Sequence, residues 1–286
     1  MEVVRNIAIT SADLSSRYLS YLPLASVAYK RINKMELILV LNLGQDFTKR
    51  IIEFCEPWAN IRVLPLVKGV DHGVQAKISR MWVAATEDFK NSRITLCDLD
   101  MIQLDDVRSN IISSYPNESL IQWGYDHPSY LVEPDIGKWP MDGTTASGAT
   151  FRNLVNPNEK TLVECFLDWS ASKTFDKRSN PFNGFGNFSD ESLLKDLLIQ
   201  AQFPPIIQKI SRLSFETRML GGRIDRGARA PIFPKRYFRV HNVHEYHGPR
   251  PFQHETRIGR QILELLGLTQ GDYKEFSSEL HSLLDL

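Results

Sequence analysis

Over its first hundred residues the chain alternates two hydrophobic rhythms. Short apolar runs at 6–10 (NIAIT), 36–41 (ELILVL), 61–66 (IRVLPL) and 93–97 (RITLC) read as strands, each bounded by polar or turn-forming residues. Between them, 17–33 sets Tyr18, Tyr21, Leu22, Ala25, Ala28 and Tyr29 at helical spacing, and 47–54 and 75–89 (QAKISRMWVAATEDF) also read as helices. Strands that alternate with helices predict βαβ units, hence an α/β fold with a mostly parallel sheet flanked by helices. In such sheets ligands bind beyond the carboxyl ends of the strands. Asp13 follows the first run and Asp98 and Asp100 follow the fourth, so the three are candidates to line one crevice.

After Asp106 the texture changes. Pro116, Gly124, Pro128, Pro134, Gly137, Pro140, Gly143 and Gly148 interrupt the pattern, and helical periods return only at 162–169, 190–200, 255–266 and 272–284. A loop-rich second half, 107–286, is expected to complete a single domain begun by 1–106. The chain shows no internal repeat and no low-complexity segment.

Composition narrows the classes. Lys plus Arg and Asp plus Glu each total 34 in 286 residues, so the net charge is zero and nothing global points to nucleic acid. Three cysteines without metal-ligand spacing read as thiols of a reducing compartment, not a disulfide framework. The N-terminal MEVVRNIAITSAD lacks the basic-then-apolar order of a signal peptide, and no apolar run approaches the ~18 residues of a membrane span. The cytoplasm is the expected location, with peripheral membrane contact left open. The basic stretch GGRIDRGARAPIFPKRYFR (221–239) reads as a solvated loop or as a surface for an anionic acceptor or membrane.

The stretch RITLCDLDMIQLDD (93–106) carries the strongest chemical signal. Two carboxylates at i and i+2 of an extended strand point to the same side. Buried there they would repel unless one were protonated or a cation sat between them. Mg²⁺ and Mn²⁺ prefer such oxygen ligands and complete their shells with water and substrate phosphates. An Asp-x-Asp triplet arises by chance about once in a chain this long, so its position at the end of an apolar strand carries the weight.

The segment AKISRMWVAATEDFKNSRITLCDLDMIQLDD resembles the core of the GT-A glycosyltransferases, especially the retaining family that includes glycogenin and bacterial lipopolysaccharide galactosyltransferases. The resemblance implies a Rossmann-like GT-A fold whose first half (1–106) binds the nucleotide and whose second half (107–286) binds the acceptor and completes the metal site. It implies that Asp98 and Asp100, with Leu99 between them, hold Mn²⁺ or Mg²⁺ and a nucleotide diphosphate-sugar, most often a UDP-sugar. Arg80, with Lys77 beside it, would reach the diphosphate or sugar; the alternative for Arg80 is a solvated helix face. IAITSADLSSRY matches the family's first strand and loop, which places Thr10, Ser11, Asp13 and Tyr18 by the nucleotide, although Asp13 also suits a helix N-cap. TTASGATFRN matches the segment facing the donor sugar, where Ser147 and Gly148 leave room for the ring; an ordinary glycine turn is the alternative. NFSDESLLKDLL matches the acidic pair near the reacting carbon, here Asp190 and Glu191, although acidic residues also suit a first helical turn.

The family's closing motif, His-x-x-Gly-x-x-Lys-Pro-Trp, is matched loosely by RVHNVHEYHGPRPF. Setting Arg250-Pro251-Phe252 on Lys-Pro-Trp aligns His244 with the metal-binding His and leaves the glycine one place off, at Gly248; His247 and His241 are the alternatives. Four of the seven histidines (His241, His244, His247 and His254) fall within fourteen residues, and imidazole suits such ions. Arg250 in place of Lys still binds phosphate, bidentately. The implied activity is transfer of a sugar to a hydroxyl of a glycan or lipid-linked acceptor, as in polysaccharide biosynthesis. The rival classes are a nucleotidyltransferase, which the glycine-free TSADLSSRY loop disfavours, and a non-catalytic sugar-binding or interaction module derived from a transferase.

Overall fold

The computed structural model describes residues 4–44, 48–117, 119–125, 143–171, 189–202, 206–210, 223–225 and 245–284. Seven strands form the main sheet: β1 Asn6–Ala12, β2 Glu36–Leu43, β3 Asn60–Pro65, β4 Arg93–Leu96, β6 Ile121–Tyr125, β7 Thr145–Ser147 and β8 Ile206–Ile210. Their order is β3-β2-β1-β4-β7-β6-β8. The four early strands are mutually parallel, β7 runs antiparallel to β4 and β6, and β8 is parallel to β6. Strands from both halves of the chain thus share one α/β sheet. A second sheet joins β5 Met101–Gln103, β9 Arg223–Asp225 and β10 Glu245–His247 in the order β5-β10-β9.

Why the early strands read as continuous apolar runs is visible in β2. Leu37, Leu39, Leu41 and Leu43 face one core, while Ile38 and Val40 face another. A parallel sheet covered by helices on both faces needs apolar residues at every position. The first face is covered by α1 Ser16–Leu19, α2 Leu22–Ser26, the π-helical turn Val27–Ile32, α3 Thr48–Cys55, α9 Arg257–Leu266 and α10 Gln270–Leu284. The second is covered by α4 His72–Ala84, α6 Gly148–Val155, α7 Leu162–Ala171 and α8 Ser189–Gln200; α5 Val107–Ser113 follows β5.

Several expected elements are revised. The single helix expected over 17–33 is three short helical pieces. Pro23 lacks an N–H, so it is accommodated only in the first turn of a new helix, α2. The helix expected over 75–89 starts earlier, where Asp71 accepts from Val74 N at 3.0 Å, and gives way after Ala84 to a 3₁₀ turn, Glu87–Phe89. The TTASGATFRN segment, for which an ordinary glycine turn is the alternative, forms β7 and the start of α6. The three cysteines are buried with no disulfide among them. No helix among the described residues is long and apolar enough to cross a membrane.

Candidate active site

From β1 the chain winds outward through β2 and β3, then crosses back to place β4 on β1's other side. Such a reversal opens a crevice at the carboxyl ends of the two central strands. Thr10, Ser11 and Asp13 lie at the end of β1, and Asp98 to Asp100 lie just past β4.

The aspartates do not continue the strand. Met101 N donates to Asp98 O at 3.1 Å, which closes a turn over 98–101. The expectation of extended backbone through Asp98 and Asp100 is therefore corrected to a turn. Asp98, its side chain 37% exposed, accepts from Arg80 Nη1 at 2.5 Å. Asp100, its side chain wholly enclosed, accepts from Arg250 Nε at 2.5 Å and lies 3.1 Å from His247 Nε2, both on Oδ2. Leu99 between them is buried in the core and anchors the turn.

Two tertiary features assemble this group. In the small sheet β10 pairs antiparallel with β5, and His247 registers with Met101, the residue after Asp100. Arg80 projects from α4 with its side chain only 4% exposed, and also donates to Cys97 O at 2.5 Å. It is an internal ion-pair partner, so the reading as a solvated helix face does not hold. Lys77 is half-buried one turn earlier on α4. Burial alone would push the Asp100 carboxyl up, but hydrogen bonds and charge from His247 and Arg250 together hold it well below the usual carboxylate range.

At the end of β1 the crevice carries unused bonding capacity. Thr10 Oγ1, Asp13 Oδ1 and Ser15 Oγ are buried without hydrogen-bond partners among the described residues. Ser15, not Asp13, is the N-cap of α1, and its side chain makes no cap bond. Buried polar atoms left unmet are costly and rare in folded proteins. Here they are suited to the hydroxyl and amide groups of a bound ligand. Tyr18, on α1, has its ring 4.3 Å beneath the Arg250 guanidinium. Burial raises the Tyr18 hydroxyl, against the opposing pull of Arg250.

Other expected residues play different parts or lie elsewhere. Ser147 caps α6, its Oγ accepting from Thr150 N at 3.0 Å. A Cβ on Gly148 would stand 2.0 Å from Phe89 O, so glycine is demanded there by the neighbouring backbone. Asp190 and Glu191 fall in the first turn of α8. His241 and His244 lie outside the described residues, as does all of 221–239 except β9.

Sequence reasoning missed the clamp behind Arg250. Tyr21 Oη donates to Pro249 O at 2.5 Å, Ser20 Oγ accepts from Phe252 N at 3.0 Å, and Tyr273 Oη donates to Ser20 O at 2.7 Å. A Cβ on Gly248 would fall 2.1 Å from Tyr21 Oη. The one available signal was the run of aromatics at Tyr18, Tyr21 and Tyr246, which reads equally as core.

Among the described residues no three His, Cys, Asp or Glu side chains are gathered into a metal-holding group. The donors brought together are one carboxylate and one imidazole, Asp100 and His247, with Asp98 next along the turn. That set still fits a hard divalent cation, which commonly takes one or two protein ligands and fills its shell with water and phosphate oxygens.

No protein-family model matches the chain, and no curated protein matches it in sequence. Solved structures are similar to it in chain course. The glycosyltransferase GlyE of Streptococcus pneumoniae TIGR4 aligns with 97% of this chain at TM-score 0.48 and 10% identity, and the chain spans 64% of GlyE's length. The galactosyltransferase LgtC, in complex with donor and acceptor sugar analogs, aligns with 94% of this chain and 99% of its own at TM-score 0.45 and 10% identity. An active-site variant of LgtC gives the same coverage at TM-score 0.48 and 11% identity. At these scores none of the three lends a role to a residue of this chain.

Proposed function

We propose that this protein is a metal-dependent glycosyltransferase that moves a sugar from a nucleoside diphosphate-sugar, in first place a UDP-sugar, to a hydroxyl of a glycan or lipid-linked acceptor. One observation carries the reading. The crevice at the β1–β4 reversal combines unmet polar atoms at one end with a buried carboxylate, an imidazole and two arginines at the other. Such an arrangement suits a ligand with a polar nucleoside joined to a diphosphate.

Asp13, Thr10 and Ser15 would bind the nucleoside, with the Tyr18 ring as its neighbour. Arg250 would bind the diphosphate, and fixed positive charge there favours charge building on the leaving group. Asp100 and His247, joined by Asp98, would hold Mn²⁺ or Mg²⁺, which when bound supplies Lewis-acid neutralisation of the diphosphate. Arg80 keeps the Asp98 turn in place. Asp190 and Glu191, opening α8, are the candidates near the reacting carbon, to deprotonate the acceptor or to stabilise the developing cation.

Calorimetric titration of UDP with and without Mn²⁺, repeated on Asp100→Asn, tests the reading. Metal-dependent binding that the substitution removes is expected. Failure of UDP, GDP and deoxythymidine diphosphate alike to bind in the presence of metal would refute it.

A further inference from the structure

The two arginines at this site are held differently. Arg80 is enclosed and donates to both Cys97 O and Asp98 Oδ1, so its guanidinium is anchored at two points. Arg250 has a side chain 24% exposed, and among the described residues its side chain makes one hydrogen bond, from Nε to Asp100 Oδ2. A guanidinium has five N–H donors in a planar fork; the terminal nitrogens of Arg250 spend none of theirs on the described residues. Its backbone is fixed from behind through Tyr21 and Ser20, while its side chain rests on the Tyr18 ring. The side chain can therefore turn without the loop moving.

Resting on the metal reading above, we propose that Arg250 is a tethered counter-ion that occupies Asp100 until a diphosphate arrives, which makes cation binding and nucleotide binding mutually dependent. A guanidinium and a divalent cation compete for one enclosed carboxylate oxygen, because two positive charges in contact repel strongly where water is excluded. A diphosphate offers the unspent fork of Arg250 a bidentate partner, and transfer of the guanidinium to it clears Oδ2. Because coupling between ligands is reciprocal, the nucleotide tightens the cation by the same factor as the cation tightens the nucleotide.

Electron paramagnetic resonance of free aqueous Mn²⁺ reads cation binding without reference to activity. The folded, full-length protein is titrated with Mn²⁺ alone and with saturating UDP, as wild type, Arg250→Met, Arg250→Lys and Asp100→Asn. The wild type should bind Mn²⁺ weakly alone and about 5- to 150-fold more tightly with UDP, the usual span of coupling between sites. Arg250→Met, which keeps the stem but not the charge, should bind Mn²⁺ alone more tightly than the wild type and lose most of the UDP effect. Arg250→Lys keeps a charge at the position and should retain weak binding, which guards against a Met variant altered merely in packing. Equal Asp100-dependent affinity for Mn²⁺ in wild type and Arg250→Met overturns the inference while leaving the metal site standing. Absence of Asp100-dependent Mn²⁺ binding in every form, UDP included, overturns the metal reading and the inference with it.

Discussion

Gly148 allows the packing around the site to be tested by a single methyl group. Gly148 opens α6 against the turn that follows the Glu87–Phe89 helix, and its amide donates to Ser92 O at 2.9 Å while Ala149 N donates to Lys90 O at 3.2 Å. A Cβ at 148 would lie 2.0 Å from Phe89 O, 2.6 Å from Phe89 C and 3.0 Å from Lys90 Cα. All three atoms are backbone, so no side chain can swing aside. Reaching the 3.4 Å of ordinary contact requires a retreat of about 1.4 Å from the nearest atom, enough to break both hydrogen bonds. Overpacking of this kind costs about 1–3 kcal/mol, and each lost bond adds about 1 kcal/mol. Gly148→Ala should therefore destabilise by about 3–5 kcal/mol, a fall in Tm of about 5–8 °C for a chain of this size. Calorimetric or circular-dichroism melting reads it directly. Gly271→Ala is the control: on α10 a Cβ would meet only Thr269 Oγ1 at 3.6 Å, and the helix should gain about 0.5–1 kcal/mol. A Gly148→Ala Tm within about 1 °C of wild type would refute the steric reasoning.

Three further outcomes follow from the same geometry. Ser147→Ala removes the α6 cap and should cost about 1 kcal/mol in urea unfolding, without the larger loss expected at Gly148. Asp100 has a folded pKa depressed below its ordinary 3.8, so its stabilising contribution is complete above that value and is lost as pH falls toward the folded pKa. Acid titration of stability should therefore fall more steeply below about pH 4 in the wild type than in Asp100→Asn, where this linkage is absent; parallel curves would argue against the buried ion pair. Tyr21→Phe leaves Pro249 O without its donor and should cost about 1–2 kcal/mol of stability. It should also weaken UDP binding measured calorimetrically, since it loosens the segment bearing Arg250.

How far the sequence reaches is clearest from particular residues. β1 and β2 were legible because strands covered on both faces are written as apolar runs, as in Leu37 to Leu41 of β2. The short strands β5, β7 and β10, three residues each, left no such trace, because so short a segment shows no period. The helix expected over 17–33 carries a helical period throughout, but a hydrophobic period does not register the missing amide of Pro23. Asp98 and Asp100 stood out by type and place. The turn that carries them did not, since it is closed by a backbone bond, from Met101 to Asp98, that no side chain signals.

The sequence by itself determined the alternation of strands and helices, the carboxylates at a strand end and the density of histidine and arginine late in the chain, because these are properties of residue type and local period. The tertiary structure alone decided which of them meet. His247 reaches Asp100 across 147 positions and Arg250 across 150. Register in the small sheet sets the first meeting, and the Tyr21–Ser20 clamp fixes the backbone beside Arg250. Strand register and the close approach of remote segments arise from the whole core condensing at once.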